Sequence, residues 1–242
     1  MKKYVWMLVA GMAVVLLVGL ICKNSFKNLG IIDIENMEDI RELDCNVNQI
    51  FTENDVELFI ADCPLGYFEK ALKEKTVLIV KPTNKIHQYN FSMTQEMEII
   101  EVLNGEEKEG NIVEFVSVGG IYDQRYAFHH YDNDRPLHYG MINLLCPDSY
   151  YLVFADSLET NTYTDVQRYR GAFTLFSTFN LSSDYSKPIN VSIESIAYND
   201  YEDSEFLCDT QETVDKLVEF KTEVLQAVLT EEQWQRYRWT RN

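Results

Sequence analysis

Between Lys3 and Lys23 the chain carries no charged residue: the nineteen positions Tyr4–Cys22 are uncharged and mostly apolar, flanked by Lys2 and Lys3 on one side and Lys23 and Lys27 on the other. A helix rises about 1.5 Å per residue, so a run of this length matches the roughly 30 Å hydrocarbon core of a bilayer. No second apolar run of that length follows residue 28. The expected arrangement is a single N-terminal transmembrane helix followed by one folded body. A cleaved signal peptide has a shorter apolar region, about 7–15 residues, ending in a small-x-small site, which Gly19–Ser25 does not offer. A lipoprotein signal places a small residue before the modified cysteine, and here Ile21 precedes Cys22. The uncleaved anchor leads, with those two as alternatives, and all three put the body on the same side. The short basic tip before the run predicts the N-terminus inside and the body outside, at the cell membrane.

That body is acidic. The net charge of the whole chain is −18, and all 39 acidic residues lie beyond residue 28. A surface this negative repels nucleic acid and anionic headgroups, so nucleic acid is excluded as a partner. The acidic balance itself reads as a device for solubility, with a cationic partner as the lesser reading. Apart from Cys22, four cysteines remain: Cys45, Cys63, Cys146 and Cys208. In an oxidising compartment they form two disulfides by one of three connectivities; free buried thiols are the alternative. No Cys-x-x-C pair points to a zinc knuckle or redox motif.

Residues 28–50 read as an irregular stalk and 51–75 as a helical lead-in, with Thr52 as a helix cap. Thr76–Lys81 is a β-branched run bounded by Pro82 and predicts a strand. Gln88–Leu103 fits either a helical face or a strand with a phase slip, and Asn104-Gly105 ends it. Asn111–Val118 and Tyr150–Ala155 read as strands. Ala172–Leu181 alternates as a strand does, and Val191–Ile196 is a further candidate. From residue 199 to 242 the pattern is helical. Asp209 with Glu212 resembles a capping box, an apolar stripe runs from Val214 to Val228, and Thr230 with Gln233 opens a last short helix. The fold class is α+β, with β elements over 76–198.

The succession VLIVKPTNKI, MEIIEVLNGEEKEGNIVEFVSVGG, LLCPDSYYLVFAD and GAFTLF resembles the netrin-like, tissue-inhibitor-of-metalloproteinase-like OB domains over about residues 76–180. The match lies in the Val102-Leu103-Asn104-Gly105 turn and in Cys146 followed by Tyr150–Phe154. The resemblance implies a small antiparallel OB-like β-barrel, flanked here by helices, and resolves 88–103 as strand. It implies no activity. Inhibitors of that group chelate a protease zinc through a free N-terminal cysteine, and this chain has no Cys-x-Cys start.

Residues 121–140 hold three of the four histidines. His129, His130, Asp132 and His138 are candidate ligands for zinc or another divalent ion, although no His-x-x-x-His spacing is present and adjacent histidines on a strand face opposite ways. Tyr122, Tyr126, Tyr131 and Tyr139 are candidate binding residues for a glycan or peptide. No Gly-x-Ser-x-Gly, Gly-x-x-x-x-Gly-Lys or His-Glu-x-x-His occurs. The expected function is a membrane-anchored extracytoplasmic binding or interaction module without catalysis and without a cofactor, its partner another envelope protein or a glycan. The alternative is a metal-dependent envelope enzyme using the loop 121–140.

Overall fold

Two short sheets and a helical layer account for the body of the chain. A computed structural model describes residues 34–89, 92–123, 135–158, 166–190 and 195–238, together with Met12, Val15, Val18 and Gly19. The chain divides at Asp33 into two units, and the second, Ile34–Asn242, is treated below. In order, its elements are α1 (Met37–Arg41), β1 (Asp44–Val47), α2 (Glu53–Asp62), α3 (Leu65–Glu74), β2 (Thr76–Tyr89), β3 (Ser92–Asn104), β4 (Ile112–Val116) and β5 (Gly120–Asp123). There follow β6 (Pro136–Tyr139), β7 (Tyr151–Leu158), β8 (Arg168–Gly171), β9 (Thr178–Asn180), β10 (Ile196–Ala197), a 3-10 turn at Tyr198–Asp200, α4 (Gln211–Val228) and α5 (Glu231–Tyr237).

The larger sheet has the order β2-β3-β4-β8-β7-β9, and β2 pairs with β7 as well as with β3. Its ladders are antiparallel except β4–β8, which is parallel. The β2–β3 register slips between Val77 and Leu78, between Ile79 and Val80, and between Pro82 and Ile86. Such slips bend and twist long strands, which is how 14 residues of β2 serve two neighbours. Leu78, Val80, Met97, Ile99, Val113, Phe115, Val153 and Tyr169 fill one core between these strands. On the other face of β2 and β7, Val77, Ile79, Leu152 and Phe154 join a second core with α2, α3, α4 and the segment Phe176–Leu181. Burial on both faces is why VLIV and YLVFA are unbroken apolar runs rather than alternating ones. Phe68 of α3 is the hub of the second core, its ring 4.8 Å from Phe173, 5.3 Å from Phe154 and 5.9 Å from Phe220.

The smaller sheet has the order β10-β1-β6-β5, with β1–β6 parallel and the other ladders antiparallel. Helix starts follow local chemistry. Thr52 accepts from the Asp55 amide and Thr230 from that of Gln233, each within a capping box. The cap of α4 is Thr210, one residue later than expected, while Asp209 accepts from the Thr213 hydroxyl.

Several expectations are corrected. Among the described residues no helix is long and apolar enough to cross a membrane. The run Tyr4–Cys22 lies outside the described residues except at four positions. The transmembrane anchor, and with it the single-pass localisation, is therefore withdrawn. An uncharged run supplies length and polarity alone, and these do not by themselves establish a membrane span. The small antiparallel OB-like barrel gives way to two sheets of six and four strands. The additions come from β1, β5, β6 and β8, segments of four residues each, too short to leave a periodic pattern.

Among the described residues, Cys45, Cys63, Cys146 and Cys208 form no disulfide bond, against expectation. They sit on β1, at the end of α2, in the loop before β7 and beside Phe51. There Cys45, Cys146 and Cys208 act as small buried apolar residues. The stretch expected as a stalk carries, from residue 34, α1 and β1, with Ile34, Met37, Ile40 and Cys45 buried. The alternation of Ala172–Leu181 yields a strand only at Thr178–Asn180. Before it, Ser177 Oγ accepts from the Phe173 amide and donates to the Phe173 carbonyl, folding the chain into a tight loop.

Candidate functional site

The hairpin β5–β6 brings the sequence-selected residues into view. Its register sets Ile121 opposite His138 and Tyr122 opposite Leu137, and β6 continues in parallel beside β1, with Val47 opposite His138. Side chains alternate along β6, so Pro136 and His138 are buried while Leu137 is half-buried and Tyr139 exposed. His129, His130, Asp132, Tyr126 and Tyr131 lie outside the described residues. Among the described residues no group of three or more His, Cys, Asp or Glu side chains could hold a metal ion. His138, the remaining candidate ligand, faces the interior.

There it meets residues that sequence reasoning missed. His138 Nδ1 lies 2.9 Å from the Tyr201 phenol, and the rings of Tyr201 and Tyr198 stand 5.5 and 6.0 Å from the imidazole. The Tyr201 phenol also hydrogen-bonds the Cys45 thiol. Asn143 ties the turn together: its Nδ2 donates to the carbonyls of Tyr201 and Ser204, and its Oδ1 accepts from the Tyr198 hydroxyl and the Leu144 amide. The one available signal was the spacing of Tyr198 and Tyr201, three apart as a single tight turn requires.

Cys45, His138 and Tyr201 have the residue types of a nucleophilic centre but not its electrostatics. Burial lowers the His138 imidazole to about 4. Burial also raises the Cys45 thiol to about 12, with Asp44 adding to it and the Tyr201 hydrogen bond opposing. A reactive cysteine needs thiolate near neutrality and a base able to take its proton. Here the base holds its proton too weakly and the thiol too strongly. The Tyr198 and Tyr201 phenols are likewise pushed up by burial. The cluster is therefore a neutral packing unit that fixes the small sheet to the 198–205 turn.

On the outward face of the same hairpin, Tyr122 and Tyr139 lie on one side with Leu137 between them. Tyr139 is 46% exposed. Burial, with a smaller contribution from Tyr139, raises the Tyr122 phenol. A Cβ on Gly120 would stand 2.8 Å from the Tyr122 hydroxyl, so the missing side chain lets that ring lie across the strand.

Two ionic clusters complete the inventory. Glu96 and Glu114 are register partners across β3 and β4. Arg168 Nε and Nη2 donate to Glu114 at 2.8 and 2.5 Å, while Lys85 and His87 stand 3.5 and 3.1 Å from Glu96. Behind β9, the fully buried Lys221 of α4 donates to Glu205 at 2.8 Å and to the Ser183 carbonyl at 2.6 Å, with Asp184 at 3.2 Å. Burial raises the Glu205 carboxyl, and Lys221 pulls it back. Each carboxylate in these clusters is engaged by a cation of the same chain, which is the pattern of structural ion pairs.

No protein-family model matches the chain, and no curated protein matches it in sequence. The netrin-like resemblance over 76–180 accordingly gains no support from these comparisons.

Proposed function

We propose that this chain is a binding module without catalysis of its own, and that the outward face of the β5–β6 hairpin is its contact surface for a protein partner. One observation carries the reading: Tyr122, Leu137 and Tyr139 share that face, and Tyr139 is about half exposed. Aromatic rings with polar tips supply contact area at low cost in side-chain entropy, above all on a backbone that is already fixed. Behind them, His138, Tyr201 and Asn143 fix it. The protonation states of Cys45 and His138 support the non-catalytic half of the proposal. A metal-dependent enzyme built on loop 121–140 draws no support from His138, which is fully buried and bonded to a phenol.

A photo-cross-linking residue at position 139, introduced in the native host, tests the idea against the same residue at the exposed Leu58. The expected outcome is a discrete adduct from position 139 only, reduced about tenfold by Tyr122→Ala, which corresponds to roughly 1.4 kcal/mol of contact energy. Equal adducts from both positions, or indifference to Tyr122→Ala, would refute it.

A further inference from the structure

We infer that His138 is an acid-sensitive latch for the β5–β6 hairpin: neutral, it holds the hairpin against the Tyr198–Tyr201 turn, and protonated, it releases it. The inference deepens the reading above, because this hairpin carries Tyr122 and Tyr139, and it rests on that reading only for its biological consequence. The imidazole is fully buried. Nδ1 is bonded to Tyr201, and Nε2 has no hydrogen-bond partner among the described residues. A protonated imidazole carries a donor on both nitrogens. The Tyr201 hydroxyl can turn to accept from Nδ1–H, but Nε2–H would face no acceptor.

Nor would the new charge meet a counter-charge among the described side chains. The titratable groups packed against the ring are the Tyr198 and Tyr201 phenols from the turn, and the Cys45 thiol of β1 lies beside Tyr201. All three remain uncharged throughout the acid range. β5 contributes the apolar Ile121 opposite His138 and, two register pairs further, Asp123 opposite Pro136, the Asp123 side chain lying outside the described ones; the titratable neighbour within β6, Tyr139, points outward. Among the described side chains, the carboxylates nearest in sequence to these elements are engaged or turned to solvent: Glu202 is bonded to Arg41 at 2.6 Å, and Asp44 and Asp200 are exposed. A buried, unpaired cation is relieved by opening.

The way out is short. The β1–β6 ladder is two residue pairs long, Asn46 with Leu137 and Val47 with His138, and β5 is the edge of its sheet. The hairpin can therefore leave before the larger sheet does. Because burial lowers the folded pKa below the ordinary imidazole value, the stabilisation is complete above that value and is lost as pH falls toward about 4.

Hydrogen exchange of the full chain near pH 7 and near pH 4.5, corrected for intrinsic rates, tests the latch without any partner. Protection of residues 120–123 and 136–139 should fall about tenfold or more relative to β2 and β7, and His138→Asn, which keeps a polar atom near Tyr201 but does not titrate, should abolish that difference. Equal loss in both sheets, or the same selective loss in His138→Asn, would overturn the inference. Should that variant not fold, nitrogen-15 spectra of the histidines in the unmodified protein decide. Imidazolium formation at His138 must share its midpoint with loss of hairpin protection, and an imidazolium inside a protected hairpin overturns the latch. Partner capture plays no part here, so a failed binding proposal and a failed latch give different results.

Discussion

Replacing Lys221 by methionine is the sharpest test of how the C-terminal helix is held. The ammonium group is buried and makes close contacts to the Ser183 carbonyl, Glu205 and Asp184 at 2.6, 2.8 and 3.2 Å. Asp184 is 41% exposed and loses little. Glu205 is buried, and without Lys221 it is left as an uncompensated carboxylate, which costs about 3–5 kcal/mol. For a body of this size that is a fall of about 6–20 °C in Tm. The pH dependence carries the sign. Burial already raises the Glu205 pKa, and removing Lys221 takes away the main opposing influence. A carboxyl whose folded pKa lies above its unfolded value favours the fold at low pH, and that advantage is lost as pH rises through the folded value. Lys221→Met should therefore be worst near pH 7.5. Near pH 5 more of Glu205 is protonated than at pH 7.5, so the loss should shrink toward the roughly 1–2 kcal/mol of the missing hydrogen bonds. Adding Glu205→Gln should recover much of the deficit, since the amide oxygen still accepts from the Asn180 amide. Urea denaturation at both pH values measures all of this. A loss below about 1 kcal/mol at pH 7.5, or one that does not change with pH, would refute the reasoning.

Two further outcomes follow from local geometry and burial. Gly140 has φ +107°, and a Cβ there would stand 2.7 Å from the Gly119 Cα, so Gly140→Ala should cost at least about 2 kcal/mol. Gly110→Ala, at φ +82° in open space, should cost about 1 kcal/mol, and thermal melts that rank the two the other way round would contradict the packing at Gly119. Toward a thiol reagent near pH 8, Cys45, Cys146 and Cys208 should be inert. Cys63, its thiol raised to about 11 chiefly by burial, should react on the order of a hundredfold more slowly than free cysteine. Thiol counts in denaturant should be the same with and without prior reduction, and a rise on reduction would restore the disulfides.

The residues that read correctly did so because their signals are local. Thr52 and Thr230 cap helices through bonds to residues three places on, and the runs at Leu78–Val80 and Tyr151–Ala155 are apolar because both faces of those strands are covered. What misled was information held at long range. Phe173 and Leu175 alternate like strand residues, yet they reach the core from a loop closed by Ser177. His138 lies among polar residues in sequence, and its burial depends on Tyr201, 63 positions away. Paired carboxylates were unreadable among 39 acidic residues, because only the β3–β4 register makes Glu96 and Glu114 neighbours. The cysteine count suggested disulfides that the described cysteines do not form, since a count carries no information on which side chains meet.

The position of β2 also governs the order in which the body can assemble. Its pairing with β3 joins neighbours in sequence, but its other edge waits for β7, with Val77 opposite Phe154. The aromatic core beneath it waits longer still, because Phe220 of α4 packs on Phe68 of α3. Contacts that distant close slowly, and a nascent chain must carry β2 with one edge and one face uncovered until nearly all of the body has left the ribosome. The segment Val77–Val80, buried on both faces in the finished fold, is thereby left open to mispairing during synthesis.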